Sequence, residues 1–128
     1  MLGSAEFGDT TVIADLEAGI GTLTRLADAS IDIAVVVVEA TPKSIDVGAR
    51  AAAVARERGI GRVVVVANRA RGGDDLARLR AAFPDTELVA VPDDPAIVAA
   101  ERDGLAPLDT APDAPAVRAL VGLARSLA

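Results

Sequence analysis

No cysteine and no histidine occur in the 128 residues. That excludes thiolate nucleophiles, Ser-His triads and the common zinc sites, each of which needs one of the two side chains. It also removes any disulfide, and with it any reason to expect secretion. Tryptophan and tyrosine are missing as well, and aromatics make up 2% of the chain. Basic residues are outnumbered, 13 against 19 acids, giving a net charge of -6 and a pI near 4.5. A nucleic-acid groove needs a basic stripe and usually aromatic platforms, so none is expected on a single copy of this chain. No apolar run approaches the roughly 20 residues of a membrane span. No signal peptide stands at the start. A soluble, cytoplasmic protein is the expectation. Twelve of the basic residues are Arg and one is Lys, Lys43. With the many alanines this reads as GC-rich coding bias rather than a functional device.

What the chain does have is aliphatic mass. It is 52% hydrophobic with a mean hydropathy of +0.40, so a core of Val, Ile, Leu and Ala is within reach. Val-rich runs alternating with Ala-rich helical stretches suit a parallel sheet covered on both faces. The length is about one domain's worth, and residues 8–128 read as a single α/β domain. Met1 to Phe7, MLGSAEF, reads as translated cloning sites, an expression scar or a disordered start, with native sequence from about Gly8. A natural N-terminus is the other reading.

Four β-α units follow in series. A first strand is expected over Thr10–Leu16, a loop at Gly19-Ile20-Gly21 and a short helix over Thr22–Ala27. A second strand, Ile33–Val38, holds four consecutive valines and reads as central, buried on both faces. Thr41 and Pro42 cap and open a helix running to Arg58, closed by Gly59. Its sheet face is expected at Ile45, Gly48, Ala49, Ala52 and Ala53. A third strand covers Arg62–Ala67, followed by a helix over Asp74–Phe83. A fourth strand covers Glu87–Val91, with a helix over Pro95–Arg102. After a Pro-rich connection, a last helix spans about Ala114–Leu127, with Val117, Leu120, Val121, Ala124 and Leu127 on one face. It is expected to pack on the core, since two arginines are few for an interfacial membrane helix. Such a series predicts a three-layer, Rossmann-like fold: a mainly parallel sheet of about four strands with helices on both faces.

Ligands of such folds bind outside the carboxyl ends of the strands. Asp15, Glu39, Asn68 and Asp93 all stand there. A short β-branched run that ends in a carboxylate and a nearby Gly, as in Thr11 to Gly19, can bring an acid to a hydrated Mg²⁺ and an amide to a phosphate. The plain alternative is that Asp15 caps the turn that follows. For Asn68 the alternative is a turn residue. For Pro92 to Pro95 it is a strand-to-helix cap, with Asp94 before a Pro at the first helical position.

Four strings in order resemble the C-terminal two-thirds of the MinD/ParA family of deviant-Walker P-loop ATPases, and within it the CooC-type nickel-insertion ATPases. DLEAG at Asp15 to Gly19 is similar to the family's D-x-x-A-G segment. VVVVEATPKSI at Val35 to Ile45 is similar to its next strand and helix start. VVVVANR at Val63 to Arg69 is similar to the strand ending in an adenine-reading Asn. VPDDPAIVAAERDGLAPLD at Val91 to Asp109 is similar to its P-x-D-x-x-V segment. The resemblance implies that Asp15 is the catalytic-site acid and helps hold Mg²⁺ through water, and that Gly19 senses the γ-phosphate. It implies that Asn68, Arg69, Pro92 and Asp93 bind the nucleotide, ATP or ADP. The Asn amide offers both a donor and an acceptor, which suits an adenine edge. The function implied is an ATP-driven dimer switch that serves a client, in metallocentre maturation, division or partitioning.

One departure is large. No G-x-x-x-x-G-K-[ST] or K-G-G-x-G-K-T string occurs. Phosphoryl transfer rests on positioning and charge neutralisation, so hydrolysis by this chain alone is not expected. In the family the phosphate-loop strand lies beside the Asp-bearing strand. Without it, the first two strands are expected to pair directly, or to borrow a strand from another copy in a homo-oligomer. A strictly monomeric species would remove the second version. A receiver domain lacks its acid pair and its placed Lys here, and a dinucleotide fold lacks its third Gly. The rival from another class is a non-catalytic scaffold of the same fold that works through protein contacts. A K-G-G-x-G-K-T string encoded upstream of Gly8 would favour the ATPase, and a natural start codon the scaffold.

Overall fold

The computed structural model describes residues 9–16 and 30–128. The suspected scar, Gly19, and the short helix expected over Thr22–Ala27 lie outside the described residues. Three strands form one parallel sheet in the order β1 (Ile33–Val38), β2 (Arg62–Ala70), β3 (Glu87–Pro92). Each crossover carries a helix, α1 (Pro42–Glu57) between β1 and β2 and α2 (Gly72–Ala82) between β2 and β3. Helix α3 (Pro95–Arg102), the single turn α4 (Pro107–Thr110) and helix α5 (Pro115–Leu127) follow. The Rossmann-like architecture with helices on both faces is therefore present. The fourth strand is not: Thr10–Leu16 forms no strand, and Val12 and Ile13 are 44% and 90% exposed. Direct pairing of that segment with β1 is likewise not seen.

This changes the place of β1. Among the described residues it pairs with β2 alone, from Ile33 against Arg62 to Val38 against Ala67. It is an edge strand, not the central one its valine run predicts. Val36 and Val38 turn towards α1 and α2, whereas Val35 and Val37 stay 41% and 61% exposed. The central strand is β2, whose Val64 to Ala67 are all buried.

Alternation along β2 builds two cores. On one face Val65 and Ala67 meet Val38, Leu79 and Phe83; on the other Val66 meets Val91 and Ala116. Helix α1 begins as its sequence demands. Thr41 Oγ1 accepts the Ser44 N–H at 3.3 Å with Pro42 at the first turn, and Gly59 closes it at φ 79°. Its sheet-facing residues are Ile45, Gly48, Ala52 and Ala55, while Ala49 and Ala53 are exposed. Spacing of three and four residues selects that stripe, and 49 and 53 fall beside it. Helix α5 does pack on the sheet, but through Ala116, Val117, Ala119 and Leu123. Leu120 is 44% exposed. No helix among the described residues is long and apolar enough to cross a membrane.

Candidate functional site

Strand β2 runs three residues past the expected end at Ala67, through a bulge. Ala67 faces Ala90 and Ala70 faces Pro92, so three steps on β2 match two on β3. Arg69 absorbs the mismatch at φ 52°, a left-handed conformation that costs a non-glycine residue about 1–2 kcal/mol. Bulges of this kind re-aim a side chain at a strand end. Here the Arg69 guanidinium turns along the C-terminal edge of the sheet, 3.7 Å from Glu39 after β1 and 3.5 Å from Asp93 after β3. Asp93 is held further by Arg71, whose Nε donates to Oδ2 at 2.8 Å, and its own N–H donates to the Ala70 carbonyl at 3.1 Å. The Arg71 hydrogen bond is the main reason the Asp93 carboxyl sits below its ordinary range. Partial burial opposes it, and the Arg71 and Arg69 charges add to it. Both arginines are more than half exposed, so these pairs orient side chains more than they stabilise the fold.

The neighbouring Asp94 points the other way. It is 9% exposed and accepts two backbone N–H groups, Ala96 at 2.9 Å and Ala116 at 3.0 Å. One carboxylate thus caps both α3 and α5 at their N-termini. The cap reading of Asp94 holds, and the second helix is what spacing along the chain could not supply.

Between these two acids and α3 lies an open groove of about 530 Å³. It is lined by Arg69, Asp93, Asp94, Pro95, Val98, Ala99 and Arg102. Val98 and Ala99 give it an apolar wall; Arg69, Arg102 and Asp93 give it charge of both signs. It is a shallow, open surface with one apolar wall and charged groups around it. Of the residues singled out from sequence, Arg69 and Asp93 line the groove. Asn68 is half-buried in the bulge beside it, and Pro92 precedes Asp93, but neither lines it. Asp15 is exposed in the extended segment and Gly19 lies outside the described residues. Arg71 and the α3 wall were not foreseen. The wall was legible in principle, since Pro95, Val98, Ala99 and Arg102 share one helical face.

The implied Mg²⁺ finds no ready cage. Among the described residues no group of three or more carboxylates converges, around Asp15 or elsewhere. A Mg²⁺ carried by a nucleotide takes one or two protein carboxylates beside the phosphates and water, so a single acid such as Asp15 is compatible with it.

No protein-family model matches the chain, and no curated protein matches it. A solved structure does: the MinD cell division protein of Aquifex aeolicus, with a TM-score of 0.62 over 87% of this chain at 21% identity. Three parallel strands with helices on both faces are thus a Rossmann-like α/β arrangement similar to the fold of that structure. MinD is a solved example with the same arrangement, and the chain spans about half of that protein's length.

Proposed function

We propose that the chain is the nucleotide-binding C-terminal part of a MinD/ParA-like ATPase, and that the groove at the β2 and β3 ends takes ATP or ADP. The observation that carries this is the meeting of Arg69, in the bulged end of β2, and Asp93, just after β3, in one groove at the edge where such folds bind ligands. Val98 and Ala99 offer a surface for a base. Arg69 and Arg102 are forked donors suited to phosphate oxygens. Asn68 and Pro92 complete the set as neighbours of the groove. Asp15 would join it with Mg²⁺ through water. The parent would be an ATP-driven dimer switch serving a client, of CooC type in metallocentre maturation, or in division or partitioning. This stretch supplies the base side of the site and, lacking a Gly-Lys phosphate loop, does not hydrolyse ATP by itself.

A second reading has its own support. Asp15 stands exposed outside the sheet, and no glycine-lysine cradle occurs in the sequence. Both suit a non-catalytic scaffold of the same fold that acts through protein contacts.

Calorimetric titration of the purified chain with ATP and Mg²⁺ separates the two. The nucleotide reading expects saturable heat that Arg69→Gly reduces about tenfold, roughly 1.4 kcal/mol. The same substitution relieves the left-handed backbone, so the variant stays folded. Asp15→Asn weakens the Mg²⁺ dependence alone. Absence of heat at high protein concentration leaves the scaffold.

A further inference from the structure

Of the two acids that line the groove, one is fully occupied and one is not. Asp94 gives its two oxygens to the Ala96 and Ala116 N–H groups, at 2.9 and 3.0 Å. Asp93 gives Oδ2 to Arg71 Nε at 2.8 Å, but its Oδ1 has Arg69 Nε at 3.5 Å, longer than an ordinary hydrogen bond. The Asp93 side chain is 34% exposed. The Arg71 hydrogen bond keeps its carboxyl ionised at neutral pH, so it accepts and cannot donate. It is also fixed in place. The Asp93 N–H is tied to the Ala70 carbonyl at 3.1 Å. The Arg71 N–H is tied to Asp75 Oδ2 at 2.9 Å, in the first turn of α2. A pinned acceptor with an open oxygen calls for a ligand that donates to it.

The neighbours of Asp93 say which donor. Arg69 reaches it from β2 with a fork suited to phosphate oxygens, and Val98 and Ala99 follow it on α3 as an apolar wall. Cation, carboxylate and apolar wall match the order of phosphates, ribose and base in a nucleotide. We propose that Asp93 is the ribose-reading residue of the groove, accepting a 2′- or 3′-hydroxyl of the bound nucleotide, and that Arg71 positions it. This rests on the nucleotide reading of the groove. A nucleotide also donates from the exocyclic amine of its base, but the hydroxyls lie nearer the phosphates, where Arg69 stands. Carboxylates at strand ends take ribose hydroxyls in dinucleotide-binding folds too. Arg71 balances the Asp93 charge, so that an acid can stand beside phosphates.

The test is calorimetric titration of the whole chain, with Mg²⁺ present, against ATP and 2′,3′-dideoxy-ATP. The wild-type chain is expected to bind ATP about tenfold more tightly, in line with one hydrogen bond to a charged group. Asp93→Ala is expected to bind both nucleotides alike, at the dideoxy level. Arg71→Ala leaves the carboxylate unpinned and is expected to narrow the gap to about threefold. The pairs removed are exposed, so both variants fold. The ratio between the nucleotides is the readout, because a merely structural role would weaken both by the same factor. Equal binding of the two by the wild-type chain overturns the ribose assignment and leaves the nucleotide reading standing. A gap that survives Asp93→Ala assigns the hydroxyls to another group and overturns it as well. A gap unchanged in Arg71→Ala removes the positioning role of Arg71. Binding of neither nucleotide overturns both the assignment and the reading beneath it.

Discussion

Gly48 shows how a single missing carbon sets the spacing of α1 on the sheet. A Cβ there would run into Val38 Cγ1 and come within 3.3 Å of Phe83 Cζ. Helix propensity alone favours Gly48→Ala by about 1 kcal/mol. Overpacking a full core costs about 1–3 kcal/mol, and Val38 is β-branched, stiff and 1% exposed, so it cannot step aside. The clash wins. Gly48→Ala is expected to lower stability by up to about 2 kcal/mol, read as a lower urea midpoint at unchanged m-value. Asp94 is the second residue on which several elements depend. Asp94→Ala removes the α3 cap, about 1 kcal/mol, and strands the buried Ala116 N–H, about 1–3 kcal/mol more. Asp94→Asn keeps one accepting oxygen and is expected to lose less. If thermal unfolding ranks Asn below Ala, the double-cap account is wrong.

At the scale of elements, the N-terminal end of the sheet is tied by Arg62. Its guanidinium makes a two-pronged contact with Glu87, at 3.0 and 2.8 Å, and donates to the Ser126 carbonyl at 2.7 Å. One side chain thereby joins β2, β3 and the last turn of α5, where a cation also suits the helix dipole. The hydrogen bond from Arg62 holds the Glu87 carboxyl below its ordinary value of 4.5 against an opposing burial effect. The Asp93 carboxyl is likewise held down, chiefly by Arg71. A carboxyl depressed by folding adds stability above its unfolded-state value and loses it as pH falls through its folded one. Unfolding midpoints are therefore expected to fall below about pH 4.5. Arg62→Ala is expected to flatten that acid limb, because Glu87 then loses the partner that holds its carboxyl below the ordinary range. Raised salt flattens it too, since these pairs are exposed. An acid limb identical in the wild-type and Arg62→Ala chains would assign the pH dependence to other groups.

For the whole molecule the deciding features are the exposed valines of β1 and an acidic net charge. Net charge of -6 keeps copies apart at neutral pH even though β1 leaves valines in water. Near the pI of about 4.5 that repulsion vanishes. Solubility is expected to reach its minimum there, with light scattering rising at low salt. Val37→Lys is expected to reduce that scattering by more than its single charge does elsewhere on the surface, for example at Ala49. Equal protection from both sites would mean that net charge, rather than the strand edge, governs association.

Local chemistry settled much of this protein from the sequence alone. Runs such as Val63 to Val66 are strands because β-branched residues suit a pleated, buried surface. Thr41-Pro42, Asp94-Pro95 and Gly59 mark helix ends because caps satisfy backbone groups within a few residues. Alternation of such runs with helices commits the chain to a parallel, Rossmann-like sheet. What needed the tertiary structure depends on which strand finds which neighbour. Two identical valine runs look alike along the chain, yet β2 is buried between two partners and β1 is left at an edge, while Thr10–Leu16 pairs with neither. The bulge that turns Arg69 toward Glu39 and Asp93 arises from a register mismatch between β2 and β3, and the reach of Asp94 to Ala116 crosses 22 residues. Register and long-range capping are properties of the assembled sheet, and no window of local sequence contains them.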